Sequence, residues 1–103
     1  MSPRNRDEDH PTGAQLRAAR GLLNLSVKEV AEKTGLVVNT IKRAEKETGL
    51  APITRANARL LIRYFTDGGV VFVPPDETAG PGVRLALGAE VTNSRRRKKE
   101  AEG

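Results

Sequence analysis

Residues 26–45 read SVKEVAEKTGLVVNTIKRAE, and the fold predicted for the whole chain is built outward from this stretch. Ser26 predicts a helix N-cap, because its hydroxyl can accept a hydrogen bond from an unpaired N–H of the first helical turn. Glu29, three residues further on, completes the pattern of a capping box. Gly35 predicts the end of this helix, since glycine adopts the left-handed conformation without a steric cost.

A second short helix is expected to begin at Asn39 or Thr40, with Ile41 and Ala44 on its inner face. Ala31 is small at the place where the two helices must cross closely. Two short helices around a tight glycine-containing turn form a helix-turn-helix. The stretch therefore predicts a mainly α fold in which the second helix presents a polar outer face.

The same stretch resembles the phage-repressor/Cro-like (XRE-type) helix-turn-helix regulators, whose usual pattern is SQEELAxxxGVSxxTIxxxE. The residues that match this pattern are Ser26, Glu29, Ala31, Gly35, Thr40, Ile41 and Glu45. Upstream, LRAARGLLNLS resembles the first helix of the family, and downstream GVVFVPP…GPGVRLAL resembles the tail of a small bacterial branch of it. The resemblance covers about residues 12–88, and the chain departs from the pattern at Val27, Val37 and Glu47.

The resemblance implies a four-helix, repressor-like helix-turn-helix domain over residues 12–66. It also implies sequence-specific binding of double-stranded DNA through the major groove, by a homodimer that acts as a transcriptional repressor or autoregulator. The implied location is the bacterial cytoplasm, with the protein on the nucleoid when it is bound to DNA.

The outer face of the second helix supplies the predicted base contacts, Val38, Asn39 and Arg43. Asn39 and Arg43 are four residues apart and so lie on one side of a helix, where Asn can pair with adenine and Arg with guanine. The predicted contacts to the DNA backbone, which position the protein, are Ser26, Lys28, Thr40, Lys42, Lys46 and Arg55. The alternative is that this face is only a solvated basic surface.

A first helix is predicted from an N-cap at Thr12 to about Asn24, with Leu16, Ala19 and Leu23 on its buried side. The family resemblance implies that Arg20 on this helix pairs with Glu45 and ties the first helix to the recognition helix. An exposed Arg20, directed to DNA or water, is the alternative.

A fourth helix is predicted after an N-cap at Thr54, ending at Asp67-Gly68-Gly69. Its inward stripe is Ala58, Leu61, Ile62 and Phe65. The apolar segments 70–73 and 83–87, separated by a loop rich in Pro and Gly, predict a short β-hairpin over residues 70–88.

Two short strands are barely stable alone, so the hairpin is expected either to cover the core of its own chain or to meet another chain. The predicted dimer or partner interface comprises Leu60, Tyr64, Val71, Phe72, Val73, Val83, Leu85 and Leu87. If this surface captures a different protein, the chain is an antitoxin or adaptor, which is the alternative to the regulator.

The two ends of the chain are polar. Residues 1–11 are expected to be disordered, with His10 solvated, and residues 89–103 are expected to form a disordered basic tail. The run Arg95–Lys99 contributes five of the 18 basic residues behind the net charge of +5. This run could raise non-specific DNA affinity or serve only for solubility.

Composition argues against other classes of protein. The chain has no cysteine and one histidine, and its sequence shows no glycine-rich phosphate loop, so we expect neither an enzyme nor a metal or cofactor site. The absence of cysteine is compatible with a reducing cytoplasm. No apolar run approaches the length needed to cross a bilayer, and the N-terminus does not resemble a signal peptide, so no membrane partner is expected.

Overall fold

The computed structural model of the chain describes residues 10–91. These residues form four helices followed by a two-stranded antiparallel hairpin, a mainly α architecture. The elements, labelled in chain order, are α1 (Gly13–Leu22), α2 (Val27–Thr34), α3 (Val38–Lys46), α4 (Arg55–Asp67), β1 (Val70–Val73) and β2 (Gly82–Leu85).

Capping residues determine where three of the helices begin. The hydroxyl of Ser26 accepts a hydrogen bond from the Glu29 N–H at 3.0 Å, while the Glu29 carboxylate accepts one from the Ser26 N–H at 2.8 Å, so the predicted capping box is confirmed. Thr12 forms a second capping box at the start of α1, and Thr54 caps α4. Gly35 ends α2 with φ +82°, in the left-handed conformation expected of it.

Two predicted helix boundaries are wrong. The first helix ends at Leu22 rather than about Asn24, because the chain leaves the helix at Leu23 and Asn24 has a positive φ of +58°. The third helix begins at Val38, and neither Asn39 nor Thr40 caps it. Its N-cap is Val37, whose side chain cannot accept a hydrogen bond. The backbone carbonyl of Val37 accepts the first helical N–H instead, so no cap residue marks this start in the sequence.

The core lies between the four helices and the first strand. Its largest fully buried side chains come from every helix and from β1: Leu16, Val30, Ile41, Leu61, Phe65 and Val70. Burying each such side chain stabilises the fold by about 1.5–3 kcal/mol. Ile62, predicted to share the inward stripe of α4, is only half-buried, whereas Ala58, Leu61 and Phe65 are buried.

The hairpin packs on this core. Val70 pairs with Leu85 and Phe72 with Val83, and directly opposite residues of an antiparallel pair point to the same side. Val70 is buried, and Phe72 and Val83 pack against the core from this inner side. The second strand is Gly82–Leu85 rather than 83–87, and Leu87 lies beyond it, fully exposed.

Part of the expected N-terminal disorder is also wrong. His10 is half-buried, with its Nε2 at 2.9 Å from the Ala51 carbonyl oxygen, and Pro11 is buried. The Pro11 carbonyl accepts a hydrogen bond from the Ala51 N–H at 3.0 Å. These contacts attach residues 10 and 11 to the segment between α3 and α4. The remainder of the expected N-terminal segment, residues 1–9, lies outside the described residues.

Candidate nucleic-acid interface

The third helix has two chemically distinct faces. Ile41, Ala44 and Glu45 are buried on the inner face. The outer face carries the exposed side chains Asn39, Lys42, Arg43 and Lys46. Three of these four are cationic, so this face is a basic surface held in place by an apolar one.

The outer side chains are unengaged. Within residues 10–91, the side chains of Asn39, Lys42, Arg43 and Lys46 take part in no hydrogen bond or ion pair. Asn39 and Arg43 are one helical turn apart, which places their side chains beside each other. An amide and a guanidinium in this arrangement can each donate two hydrogen bonds, and the amide can also accept, so the pair can engage the edges of adjacent bases.

The inner side of α3 is tied to α1 by an ion pair. Arg20 Nε donates to Glu45 Oε2 at 2.8 Å and Arg20 Nη2 donates to Glu45 Oε1 at 2.8 Å, which is the bidentate geometry of a strong charge-assisted pair. Glu45 is buried and Arg20 is half-buried. The hydrogen bonds with Glu45 raise the pKa of Arg20, partial burial opposes this effect, and the charge of Glu45 adds to it.

Two further contacts extend this tie. Arg20 Nη1 donates to the Leu25 carbonyl oxygen at 3.0 Å, so one guanidinium links α1, α3 and the connection that leads into α2. Arg17, one turn earlier on α1, donates from Nη1 to the Glu45 carbonyl oxygen. A cation at the C-terminal end of a helix also interacts favourably with the helix dipole. The orientation of α3 is therefore determined by both arginines of α1.

Val38, a predicted base contact, lies on the border between the two faces. It is half-buried and packs against the core, so only part of its side chain is available to a partner. Val37, immediately before it, is 65% exposed. Thr40, a predicted backbone contact, is also half-buried. The more exposed valine at this end of α3 is thus not the one that the sequence pattern singles out.

The remaining predicted backbone contacts lie at two helix N-termini. Ser26 and Lys28 stand at the start of α2, where Lys28 is exposed and Ser26 is half-buried in its capping box. The Glu29 carboxylate that closes this box places a negative charge at the helix start, which opposes an approaching phosphate. Lys28 offsets that charge. Arg55 is exposed at the first position of α4.

The predicted dimer or partner residues do not share one exposed surface. Tyr64, Phe72 and Val83 pack against the core, and Tyr64 also lies 5.4 Å from Phe65 between ring centroids. Val73 is half-buried. The exposed members of the set are Leu60, Val71, Leu85 and Leu87. The proposal that Leu60 and Tyr64 meet a partner stays a prediction: Leu60 is exposed, whereas Tyr64 is half-buried and packs against the core.

Three positions that support α3 or the hairpin were not singled out from the sequence. Gly13 approaches the end of α3 so closely that a Cβ placed there would lie 2.0 Å from the Glu47 carbonyl oxygen. Gln15, 6% exposed, donates from Nε2 to the Gly82 carbonyl oxygen at 2.9 Å and so anchors the hairpin to α1. Arg17 is the third. A glutamine three residues after Thr12 is a capping-box signal, which could have identified Gln15.

Comparison of the chain with protein-family models and with curated protein sequences gave no match. No helix within residues 10–91 combines the length and the apolar character required to cross a membrane. In the same residues, no three His, Cys, Asp or Glu side chains are grouped in a way that could hold a metal ion.

Proposed function

We propose that the chain is a sequence-specific DNA-binding regulator of the XRE type, in which α3 lies in the major groove of double-stranded DNA. The observation that carries this proposal is the outer face of α3. Its four unengaged polar and basic side chains stand on a helix whose other face is buried and tied by Arg17 and Arg20. A recognition helix needs this combination, because it must pack on its own domain while it presents polar groups to base edges.

Each group of side chains has a distinct role in the proposed complex. Asn39 and Arg43 pair with base edges, and the exposed part of Val38 meets a thymine methyl group. The backbone of the DNA is held by Ser26, Lys28, Thr40, Lys42, Lys46 and Arg55. The helix dipole at the start of α2 adds to the attraction of a phosphate there, and Lys28 offsets the charge of the nearby Glu29 carboxylate.

Replacing Arg43 by alanine is expected to weaken binding to the preferred site by about 1–3 kcal/mol and to relax specificity at one base position. The physical reason is the loss of a bidentate contact to a base edge. Affinities for the preferred duplex and for random duplexes, measured at the same salt concentration, provide the test. An equal loss on both duplexes would show that Arg43 contacts only phosphate.

Replacing Lys42 by alanine is expected to weaken binding to the preferred and random duplexes alike, because a phosphate contact carries no sequence information. The slope of log K against log[salt] should become flatter by about one unit. The measurement is a salt titration of DNA binding by the wild-type protein and by the Lys42→Ala variant. Lys33→Ala is a matched control: Lys33 is also exposed but lies in the last turn of α2 and is not among the predicted DNA contacts.

Selection of bound sequences from a pool of random duplexes tests the proposal as a whole. An enriched palindromic site would support both base readout and use of the domain by a homodimer, since two-fold related recognition helices read two half-sites. If no site is enriched at about 0.1 M salt, the proposal of sequence-specific binding fails.

The exposed apolar residues of the hairpin favour a second candidate, an antitoxin or adaptor that binds a protein partner. Val71, Leu85 and Leu87 are exposed, and no third strand covers either edge of the hairpin within residues 10–91. Such edges can pair with another chain. The molecular mass in solution separates the candidates. A dimer that dissociates when Val71 is replaced by lysine favours the homodimeric regulator, whereas a monomer that pairs with a co-expressed neighbour favours the adaptor.

A further inference from the structure

A cleft of about 300 Å³ opens beside the end of α1 and the end of α4. Its apolar walls are Leu23, Leu25, Tyr64 and Val91. Leu23 is buried, whereas the other three are half-buried and pack against the core. The shape of the cleft is therefore determined by side chains that the hydrophobic core holds in place.

The polar side chains that line the cleft are two carboxylates and a phenol. Asp67 and Glu90 are both exposed at its border. Neither carboxylate, nor the hydroxyl of Tyr64, takes part in a hydrogen bond or ion pair within residues 10–91. No lysine or arginine of these residues lines the cleft, although the whole chain carries a net charge of +5. Three unengaged acceptors thus border one cleft, and two of them are anionic.

A third carboxylate, that of Glu29 in the first turn of α2, adds its charge near the cleft. Burial raises the pKa of Tyr64, and the charge of Glu29 raises it further. Arg20 donates to the carbonyl oxygen of Leu25, but its positive charge is balanced by the bidentate pair with Glu45. The groups that line the cleft therefore attract cations and disfavour anions.

The size and the lining of the cleft define the class of ligand that fits. An apolar cavity of about 150 Å³ is large enough for benzene, so this cleft can hold a six-carbon body together with a charged group. The apolar walls suit such a body, because an apolar group that displaces poorly ordered water gains affinity. The two carboxylates suit an ammonium group, which forms charge-assisted hydrogen bonds with them.

A metal ion fits this cleft less well than an organic cation. In the described part of the chain, no three His, Cys, Asp or Glu side chains are grouped in a way that could hold a metal ion. Calcium takes about six to eight oxygen ligands, so two carboxylates would leave most positions to water. An ammonium group has at most about three N–H donors, a number that Asp67, Glu90 and the Tyr64 hydroxyl can match.

We propose that this cleft binds a small organic cation, an alkylammonium ion whose apolar body packs against Leu25 and Tyr64 and whose head group is bound by Asp67 and Glu90. The proposed site lies wholly within residues 10–91 and does not include the basic run Arg95–Lys99, which lies outside the described residues. The inference goes beyond the proposed function and does not depend on it. Failure of the chain to select a DNA site would overturn the proposed function and leave this site unaffected.

Leu25 connects this site to the contacts that hold α3. Its side chain lines the cleft, while its carbonyl oxygen accepts a hydrogen bond from Arg20 Nη1 at 3.0 Å. The same guanidinium pairs with Glu45 on α3. A ligand that packs against Leu25 therefore contacts the connection between α1 and α2 at a residue that also takes part in the tie to α3.

Tyrosine fluorescence tests the site directly, because Tyr64 is the only tyrosine and the chain has no tryptophan. The probe is cyclohexylmethylammonium. The comparison ligands are cyclohexylmethanol, which lacks the charge, and methylammonium, which lacks the apolar body. The probe is expected to change the emission of Tyr64 saturably, with a dissociation constant of about 1 mM or lower and about tenfold tighter binding than either comparison ligand. Equal binding by the probe and a comparison ligand, or no saturable change below about 20 mM, would overturn the inference.

Two double variants identify the groups that bind the charge. Asp67→Asn with Glu90→Gln removes the carboxylates of the cleft, and Glu32→Gln with Glu47→Gln removes two exposed carboxylates that do not line it. The first pair is expected to weaken binding of the probe about tenfold and to leave binding of cyclohexylmethanol unchanged, which shows that the cleft is intact. The control pair should change binding of the probe by less than about twofold. Equal losses in the two double variants, or no loss in the first, would overturn the inference.

Thermal unfolding gives an independent measurement, since a ligand that binds only the folded chain raises the Tm as its concentration rises. At about ten times its dissociation constant, the probe should raise the Tm by about 5–10 °C, and methylammonium at the same concentration by less than half as much. The rise with the probe should largely disappear in the variant that carries Asp67→Asn and Glu90→Gln. An undiminished rise in that variant would show that the probe binds elsewhere, and would overturn the inference.

Discussion

Replacing Gly13 by alanine is expected to destabilise the fold by about 3 kcal/mol, although alanine is normally the better helix former. The added Cβ would lie 2.0 Å from the Glu47 carbonyl oxygen and 2.3 Å from the Ala44 carbonyl oxygen. Both oxygens belong to the backbone at the end of α3, so no side-chain rotation can relieve the overlap. The Gly13 N–H also donates to the Gly49 carbonyl oxygen at 2.8 Å, which holds the two segments at this separation.

The free energy of unfolding in urea or guanidinium measures this effect, and Gly21→Ala on the same helix is its control. A Cβ at Gly21 would meet no atom within 4 Å, and its φ is not positive. That substitution is expected to stabilise the protein by about 0.5–1 kcal/mol, because alanine loses less backbone entropy on folding than glycine. Similar free energies for the two variants would mean that α1 and α3 do not approach each other as closely as the structure indicates.

The parts of the fold that were predicted correctly depend on local chemistry. Ser26 and Glu29 are three residues apart, so a capping box between them can be inferred from spacing alone, and Gly35 marks the end of α2 for an equally local reason. The start of α3 was misplaced because its N-cap, Val37, offers no side-chain hydrogen bond. A helix cap formed only by backbone groups does not require a particular residue type, so it cannot be recognised from the sequence.

The contacts that position the candidate interface are long-range, and the sequence pattern indicates only one of them. The pairing of Arg20 with Glu45, 25 residues apart, was expected only through the family resemblance. Arg17 reaches a backbone oxygen of α3, and Gln15 reaches the hairpin from 67 residues away. A backbone oxygen has no sequence signature, so such a contact cannot be read from residue types. The close approach of Gly13 to α3 could not be predicted either, because the atoms that Gly13 approaches are backbone oxygens.

The hairpin shows how much of a β-structure can be predicted from the alternation of apolar and polar residues along one segment. Alternation correctly predicted a second strand, and a short β-branched and aromatic segment predicted the first, but alternation also placed Val83, Leu85 and Leu87 together on one face, and that prediction is wrong. Val83 packs on the core, Leu85 is 39% exposed, and Leu87 is outside the strand. The register opposite β1 and the position of α1 decide which of these residues is covered, and neither can be derived from periodicity within one segment.

Replacing Glu45 by alanine is expected to cost about 3 kcal/mol of unfolding free energy, because breaking a largely buried pair leaves the other charge without a partner. Arg20 would keep its hydrogen bond to the Leu25 carbonyl oxygen but lose both bonds to the carboxylate. Arg17 binds the backbone oxygen of Glu45, so its contact survives the substitution and does not contribute to the loss.

Glu47→Ala is the matched control for this substitution, because Glu47 is exposed two residues away and makes no ion pair or hydrogen bond through its side chain within residues 10–91. Removing an acidic group at the C-terminal end of a helix should change stability by less than about 0.5 kcal/mol, and any change should be favourable.

A double-mutant cycle with Arg20→Ala then isolates the interaction between the two side chains, for which we expect a coupling of about 1–3 kcal/mol. A coupling near zero would mean that Glu45→Ala acts through the lost packing of its side chain and not through the ion pair. A coupling of the expected size would instead attribute the loss to the ion pair, which is one of the contacts that hold α3 on α1. In that case Glu45→Ala should also weaken the proposed DNA binding under conditions where the variant remains folded, although neither Arg20 nor Glu45 is among the predicted DNA contacts.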